Sequence, residues 1–159
     1  MNILFICLGN ICRSPMAEGA MKKILEDLHI TDLHHVDSCG FEAYHLGEPP
    51  HKMAQQTALK HHIDISAQRQ RLFSPIDFDN FDRIFVMDSN NYKLVNQQKR
   101  TEEDMKKVDY LYNMINPTQN TPIPDPWGGT TKDFEHAFDM IWKACLKLGQ
   151  NLLNQQSTQ

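Results

Sequence analysis

With 159 residues and no apolar run near the ~20 residues that cross a bilayer, the sequence predicts one domain and no membrane span. A formal net charge of -4 gives no electrostatic reason to bind nucleic acid or an anionic lipid surface. Four cysteines are too few for a secreted disulfide scaffold, and the first residues lack the basic segment of an export signal, so the expectation is a reduced, cytoplasmic protein.

The chain opens with a short run of β-formers, 2–6, followed by a glycine-containing loop at 8–14. Pro15 fits the first turn of a helix, and Met16, Ala20, Ile24 and Leu28 continue at helical spacing, which predicts a helix over 16–28. A second strand is expected at 35–38, closed by Gly40, and Pro49 and Pro50 precede a helix over 51–61. RIFVM at 83–87 reads as a strand, 88–98 as a helix capped by Asp88 or Ser89, and 108–112 as a fourth strand. A polar, proline-rich loop covers 116–131. The last helix begins near Lys132, with Phe134, Phe138, Ile141, Trp142, Cys145, Leu148 and Leu152 along one face. Strands alternating with helices imply an α/β three-layer sandwich around a small, mostly parallel four-stranded sheet, as a single domain over 1–154 with 155–159 as a frayed tail.

Such sheets bind ligands beyond the carboxyl ends of their strands, where the loop after the first strand would lie. That loop, CLGNICRS from Cys7 to Ser14, has the makings of a phosphate cradle. Backbone N–H groups of Leu8, Gly9, Asn10, Ile11 and Cys12 can turn inward as an anion nest, and the helix start adds partial positive charge. Gly9 is expected to take a backbone conformation closed to side chains, Asn10 tolerates the left-handed region, and Arg13 offers a fork of donors for two phosphate oxygens. Cys7 would face the anion as nucleophile, with the Ser14 hydroxyl aimed at its sulfur. Alone, Cys7 could equally be a packing residue at the end of a strand; the coincidence of cysteine, glycine, arginine and helix start argues for chemistry.

The loop resembles the Cys-x5-Arg-Ser signature of the low-molecular-weight protein tyrosine phosphatases, and Pro15-Met16-Ala17-Glu18 matches their usual continuation. The likeness extends through Ser38 to Gly40, Gly47 to Pro50, Met87-Asp88 with Asn90, and Pro124-Asp125-Pro126. It implies hydrolysis of phosphotyrosine through a phosphocysteine, with Asp125 as general acid and base, and neither metal nor cofactor. It also implies Ser38 as a support for the loop, Tyr44 as an aromatic wall, and a reversible Cys7–Cys12 disulfide. Trp127 and Leu8 are further wall candidates, since a phosphotyrosine ring needs flat apolar surfaces above the phosphate. Tyrosine-phosphorylated proteins or peptides are the expected partners, met by a monomer.

The chain departs from the family in two places: Trp127 and Gly128 stand where many relatives carry two phosphorylatable tyrosines, and Ala67 where a histidine is frequent. Cys39 and Cys145 read as core filling, His34-His35 and His61-His62 as solvated histidines, and Lys99-Arg100 and Lys106-Lys107 as solvated charges. Rival readings are an arsenate reductase on the same fold, which would need a further cysteine near residue 90 that 81–92 lacks, and a non-enzymatic phosphate-binding or redox-sensing module.

Overall fold

In the computed structural model, which describes residues 1–157, four strands form one sheet: β1 (Asn2–Ile6), β2 (His35–Cys39), β3 (Arg83–Val86) and β4 (Val108–Tyr110). Their order is β2-β1-β3-β4 and every pairing is parallel, so the expected mostly parallel sheet is parallel throughout. The central strands β1 and β3 are apolar on both faces because both faces are covered. Ile3, Phe5 and Phe85 point to one side, into a core shared with α1 (Arg13–Asp27), α2 (Lys52–Lys60) and α6 (Thr131–Ser157). Leu4, Ile6, Ile84 and Val86 point to the other side, where they meet Phe78 of α3 (Asp77–Asn80), Val95 of α4 (Ser89–Gln97) and Met105 of α5 (Glu102–Met105).

The chain leaves β1 through α1 toward β2 on one side and later crosses to β3 on the other. The switch point therefore lies between the carboxyl ends of β1 and β3, the place where open sheets of this kind bind ligands. The loops that begin at Cys7 and Met87 open into that crevice. Segment 71–73 extends the sheet edge there through Gly40 N–H to Arg71 O (3.0 Å) and Phe73 N–H to Gly40 O (2.7 Å).

Several boundaries move. The first helix begins at Arg13, so the end of the predicted loop is its first turn. The fourth strand stops at Tyr110, and Leu111–Met114 forms a 3-10 turn. The last helix begins at Thr131 and continues through 155–157 of the expected frayed tail; 158–159 lie outside the described residues. Among the described residues no helix is long and apolar enough to cross a membrane.

Candidate active site

The loop after β1 is held from outside. Leu8 O accepts from Phe41 N–H (2.8 Å) and Glu42 N–H (3.3 Å), Ile11 O from His51 N–H (2.7 Å), and Cys12 O from Met16 N–H (3.2 Å). In a trans peptide the next N–H points opposite to the carbonyl, so anchoring these carbonyls outward turns the N–H groups of Gly9, Cys12 and Arg13 inward. From Leu8 to Cys12 no backbone N–H finds an acceptor among the described residues. Buried N–H groups without partners are rare in folded proteins, and a consecutive run of them is the signature of an anion nest.

The left-handed residue of the loop is Asn10 (φ 52°), not Gly9, which corrects the expectation for Gly9. A methyl group on Gly9 would lie 3.4 Å from Ile11 Cγ1 and 3.6 Å from Glu42 Oε2, so this glycine keeps the corridor above the loop open. Gly40 is the tighter position. A Cβ there would meet Asn10 N and Leu8 O at 2.8 Å, so only glycine lets the end of β2 lie against the loop backbone.

Asn10 explains its conformation by its bonds. Its Oδ1 accepts from Arg71 N–H (3.1 Å), which fixes the amide orientation, and its Nδ2 donates to Ser14 Oγ (2.9 Å) and Ser38 Oγ (3.0 Å). Ser38 Oγ donates in turn to Glu18 Oε2 (2.6 Å), and Glu18, buried, is paired with Lys22 through its other oxygen (2.5 Å). Ser14, already accepting from Asn10, lies with its hydroxyl 3.0 Å from Cys7 Sγ and 3.4 Å from Cys39 O, so it donates to a Cys7 thiolate over the shorter contact, and its N–H reaches the same sulfur at 3.5 Å. The branch from Asn10 through Ser14 thus ends at Cys7, while the branch through Ser38 ends at Glu18. Lys22 supplies the counter-charge to Glu18 on the side of the network where Ala67 brings no imidazole.

Arg13 is 2% exposed. Its Nη1 donates to Asp88 Oδ2 (2.7 Å) and Ile123 O (2.8 Å), and its Nη2 stands 3.6 Å from Asp125 Oδ2. Burial works against its charge, but Cys7, Asp88 and Asp125 outweigh that and hold the guanidinium protonated. Asp88 is the cap of α4, accepting Asn91 N–H on Oδ1 (2.9 Å), so one carboxylate both starts a helix and aims the arginine. The proline-rich loop is docked beside it by Ile123 N–H to Met87 O (2.9 Å). Two residues on, Asp125 sits at the rim with Oδ1 accepting Trp127 N–H (3.1 Å).

These groups share a cavity of about 500 Å³, lined by Cys7 and Arg13 below, by Asp125 at the rim and by Tyr44 and Trp127 at the mouth. Leu8, Gly9, Ile11 and Cys12 complete its floor and wall, while Asn10, Ser14 and Ser38 lie behind it in the network. Tyr44 and Trp127 are 85% and 64% exposed, flat apolar surfaces facing solvent at the opening of a polar pit. A larger groove of about 790 Å³ beside α1 and β2 reaches only Glu18 and Lys22 of this network and contains no cysteine or serine. Cys12 is buried, and burial first, then the charges of Cys7 and Asp125, push its thiol up against the pull of Arg13. Cys39 and Cys145 are fully buried, and burial drives both thiols up.

The profile of the family described as low molecular weight phosphotyrosine protein phosphatase matches residues 2–158. The chain belongs to that family. As a member it is a phosphatase, a hydrolase with protein substrates. A low molecular weight protein-tyrosine-phosphatase of Staphylococcus epidermidis is 36% identical over 146 residues, 91% of this chain and 89% of that one. The crystal structure of a protein tyrosine phosphatase from Entamoeba histolytica, with Hepes in its active site, superposes with a TM-score of 0.90 at 33% identity, covering 98% and 99% of the two chains. A Drosophila arginine phosphatase superposes with a TM-score of 0.87 at 30% identity, covering 96% and 98%.

The sequence reading named the loop, Asp125, Tyr44, Trp127 and Ser38, and the fold brings all of them to the cavity or to the network behind it. Sequence marks Asp88 as a helix cap and as part of the family likeness but not as the partner of Arg13, and it gives no sign of Ile123, Arg71, Lys22, Glu42 and His45 as site residues. The Asp88 partnership spans 75 residues of sequence, and no local spacing signals it.

Proposed function

We propose that the phosphatase hydrolyses phosphotyrosine and aryl phosphate monoesters in two steps through a phosphocysteine. The observation that carries this reading is the run of partnerless N–H groups from Leu8 to Cys12 around Cys7, with Arg13 beside it. In the first step the Cys7 thiolate attacks phosphorus, the bond to the leaving oxygen breaks, and Asp125 gives its proton to that oxygen. The loop amides and Arg13 hold the three equatorial oxygens, taking the charge-stabilising role that a metal plays elsewhere. In the second step Asp125 takes a proton from water, the water oxygen attacks phosphorus, and the S–P bond breaks to return the thiolate and free phosphate. Ser14 donates to the sulfur, which eases its departure.

The fold alone leaves the leaving group open, since the Drosophila neighbour is an arginine phosphatase. The apolar mouth formed by Tyr44, Trp127 and Leu8 favours an aromatic one. The proposed partners are tyrosine-phosphorylated proteins or peptides, met by a monomer. The proposed setting is the reducing cytoplasm, which suits four free cysteines. The purified chain is expected to release phosphate from p-nitrophenyl phosphate and from phosphotyrosine peptides. Faster release from phosphoarginine peptides, or arsenate-dependent thiol consumption without phosphate release, would overturn the assignment.

The same thiolate is proposed to be reversibly oxidised. Peroxide converts it to a sulfenic acid, and Cys12, on the same cavity wall, then displaces water to form a disulfide. Mass mapping after peroxide treatment should find Cys7 linked to Cys12, with activity restored by thiol. A sulfinic product at Cys7 with no disulfide would remove Cys12 from this role.

A further inference from the structure

Glu42 stands at the mouth of the anion cavity. Its backbone is fixed: its N–H donates to Leu8 O (3.3 Å), and its carbonyl accepts from Nε2 of the buried Gln70 (2.7 Å). The carboxylate leans over the phosphate loop, with Oε2 3.6 Å from the place a Cβ on Gly9 would occupy. Among the described residues it forms neither an ion pair nor a side-chain hydrogen bond. The other acids near the mouth are engaged, Glu48 with His45 Nδ1 (2.9 Å) and Asp125 with Arg13 and the Trp127 N–H. Arg13, the only lysine or arginine lining the cavity, lies on its floor and is already bonded to Asp88.

A free carboxylate beside a dianion site opposes phosphate entry, and the two-step scheme does not use it. It becomes favourable when the substrate brings a cation. The phosphate ester has none, but a phosphopeptide has one whenever a lysine or arginine neighbours the phosphotyrosine. With the ring between Tyr44 and Trp127, the peptide backbone runs along the rim. The long stem of a neighbouring basic side chain can then reach back over the wall to which Glu42 belongs.

We infer that Glu42 is a specificity-determining residue that selects phosphotyrosine peptides with Lys or Arg next to the phosphotyrosine and disfavours those with Asp or Glu there. The inference rests on the phosphotyrosine reading. It is tested on the full chain with peptides identical except for Lys, Gln or Glu beside the phosphotyrosine, with p-nitrophenyl phosphate assayed in parallel. Wild type should favour the Lys over the Glu peptide by about three- to tenfold in kcat/KM, the range that exposed charge pairs support. The ratio should shrink at high salt, fall toward one in Glu42→Gln, and invert in Glu42→Lys. Aryl phosphate hydrolysis without flank preference, or a preference that survives in Glu42→Gln and is untouched by Glu42→Lys, overturns the role of Glu42 and leaves the phosphatase reading standing. Absence of phosphate release from every substrate overturns both.

Discussion

Replacing Cys7 by serine is expected to reduce aryl phosphate hydrolysis by at least about 10⁴-fold while phosphate still binds. The groups bonded to Cys7 Sγ are the Ser14 hydroxyl at 3.0 Å and the Ser14 N–H at 3.5 Å, both able to donate. Donors stabilise a thiolate but cannot take a proton from a serine hydroxyl, and the one cavity-lining histidine, His45, is tied to Glu48. The carboxylates of the cavity, Asp125 and Glu42, form no hydrogen bond with Cys7 among the described residues, so a serine at position 7 has no base in contact to make it a nucleophile. The oxygen fits the space of the sulfur and keeps a bond to Ser14, so the change should leave the melting temperature nearly unmoved. Phosphate affinity, read by calorimetry, should be unchanged or tighter, because the anion no longer meets the charge of a thiolate. Turnover above about one per cent of wild type, after removal of contaminating phosphatase, would sink the nucleophile assignment. Lost binding would instead place Cys7 among the supports of the loop.

What the sequence discloses about this site follows the range of the interactions involved. The strands at 2–6 and 83–87 are readable because burial on both faces demands continuous apolar runs, and the structure pairs them directly. The loop is readable because its chemistry sits in eight consecutive residues. Asn10 and Gly9 both tolerate the left-handed region, and the choice between them is made by bonds from Asn10 to Arg71, Ser14 and Ser38, which local sequence cannot reveal. Helices α3 and α5 are too short for a period to emerge and are fixed by distant partners. Asp77 of α3 holds Arg71 and caps Ser74 N–H, and Asp104 of α5 pairs with Arg100, which also grips Asp79 in a two-pronged contact at 2.7 Å. Arg100, although exposed, and Lys107, which donates to Phe78 O and Phe81 O, thus act as structural ties as well, where the sequence suggests solvated charges alone. Glu42 is the converse case: an exposed acid that looks solvated in sequence and that the fold sets against the anion loop.

Asp125→Asn should separate the two halves of the reaction. Asparagine keeps an acceptor for the Trp127 N–H, now 3.1 Å from Oδ1, and removes the proton that Asp125 is proposed to carry. Its side chain is 46% exposed and stands 3.6 Å from Arg13, so loss of this loose ion pair should cost little stability. Phosphocysteine formation is reported by kcat/KM. For phenyl and alkyl phosphates, whose leaving oxygens depart poorly as anions, kcat/KM should fall by about 10²- to 10⁴-fold. For p-nitrophenyl phosphate, which needs no proton to leave, the fall in kcat/KM should be far smaller. Breakdown of the phosphocysteine is common to all substrates and loses its base in the variant. With good leaving groups this step becomes limiting, so rapid mixing should show a burst of nitrophenolate equal to the enzyme concentration, followed by slow turnover. Equal loss of kcat/KM across leaving groups would count against the acid role, and a wild-type steady-state rate with no burst would count against the base role. The two readouts are independent because one depends on which oxygen leaves and the other only on which water attacks. Together they tie the rim position of Asp125 to both proton transfers.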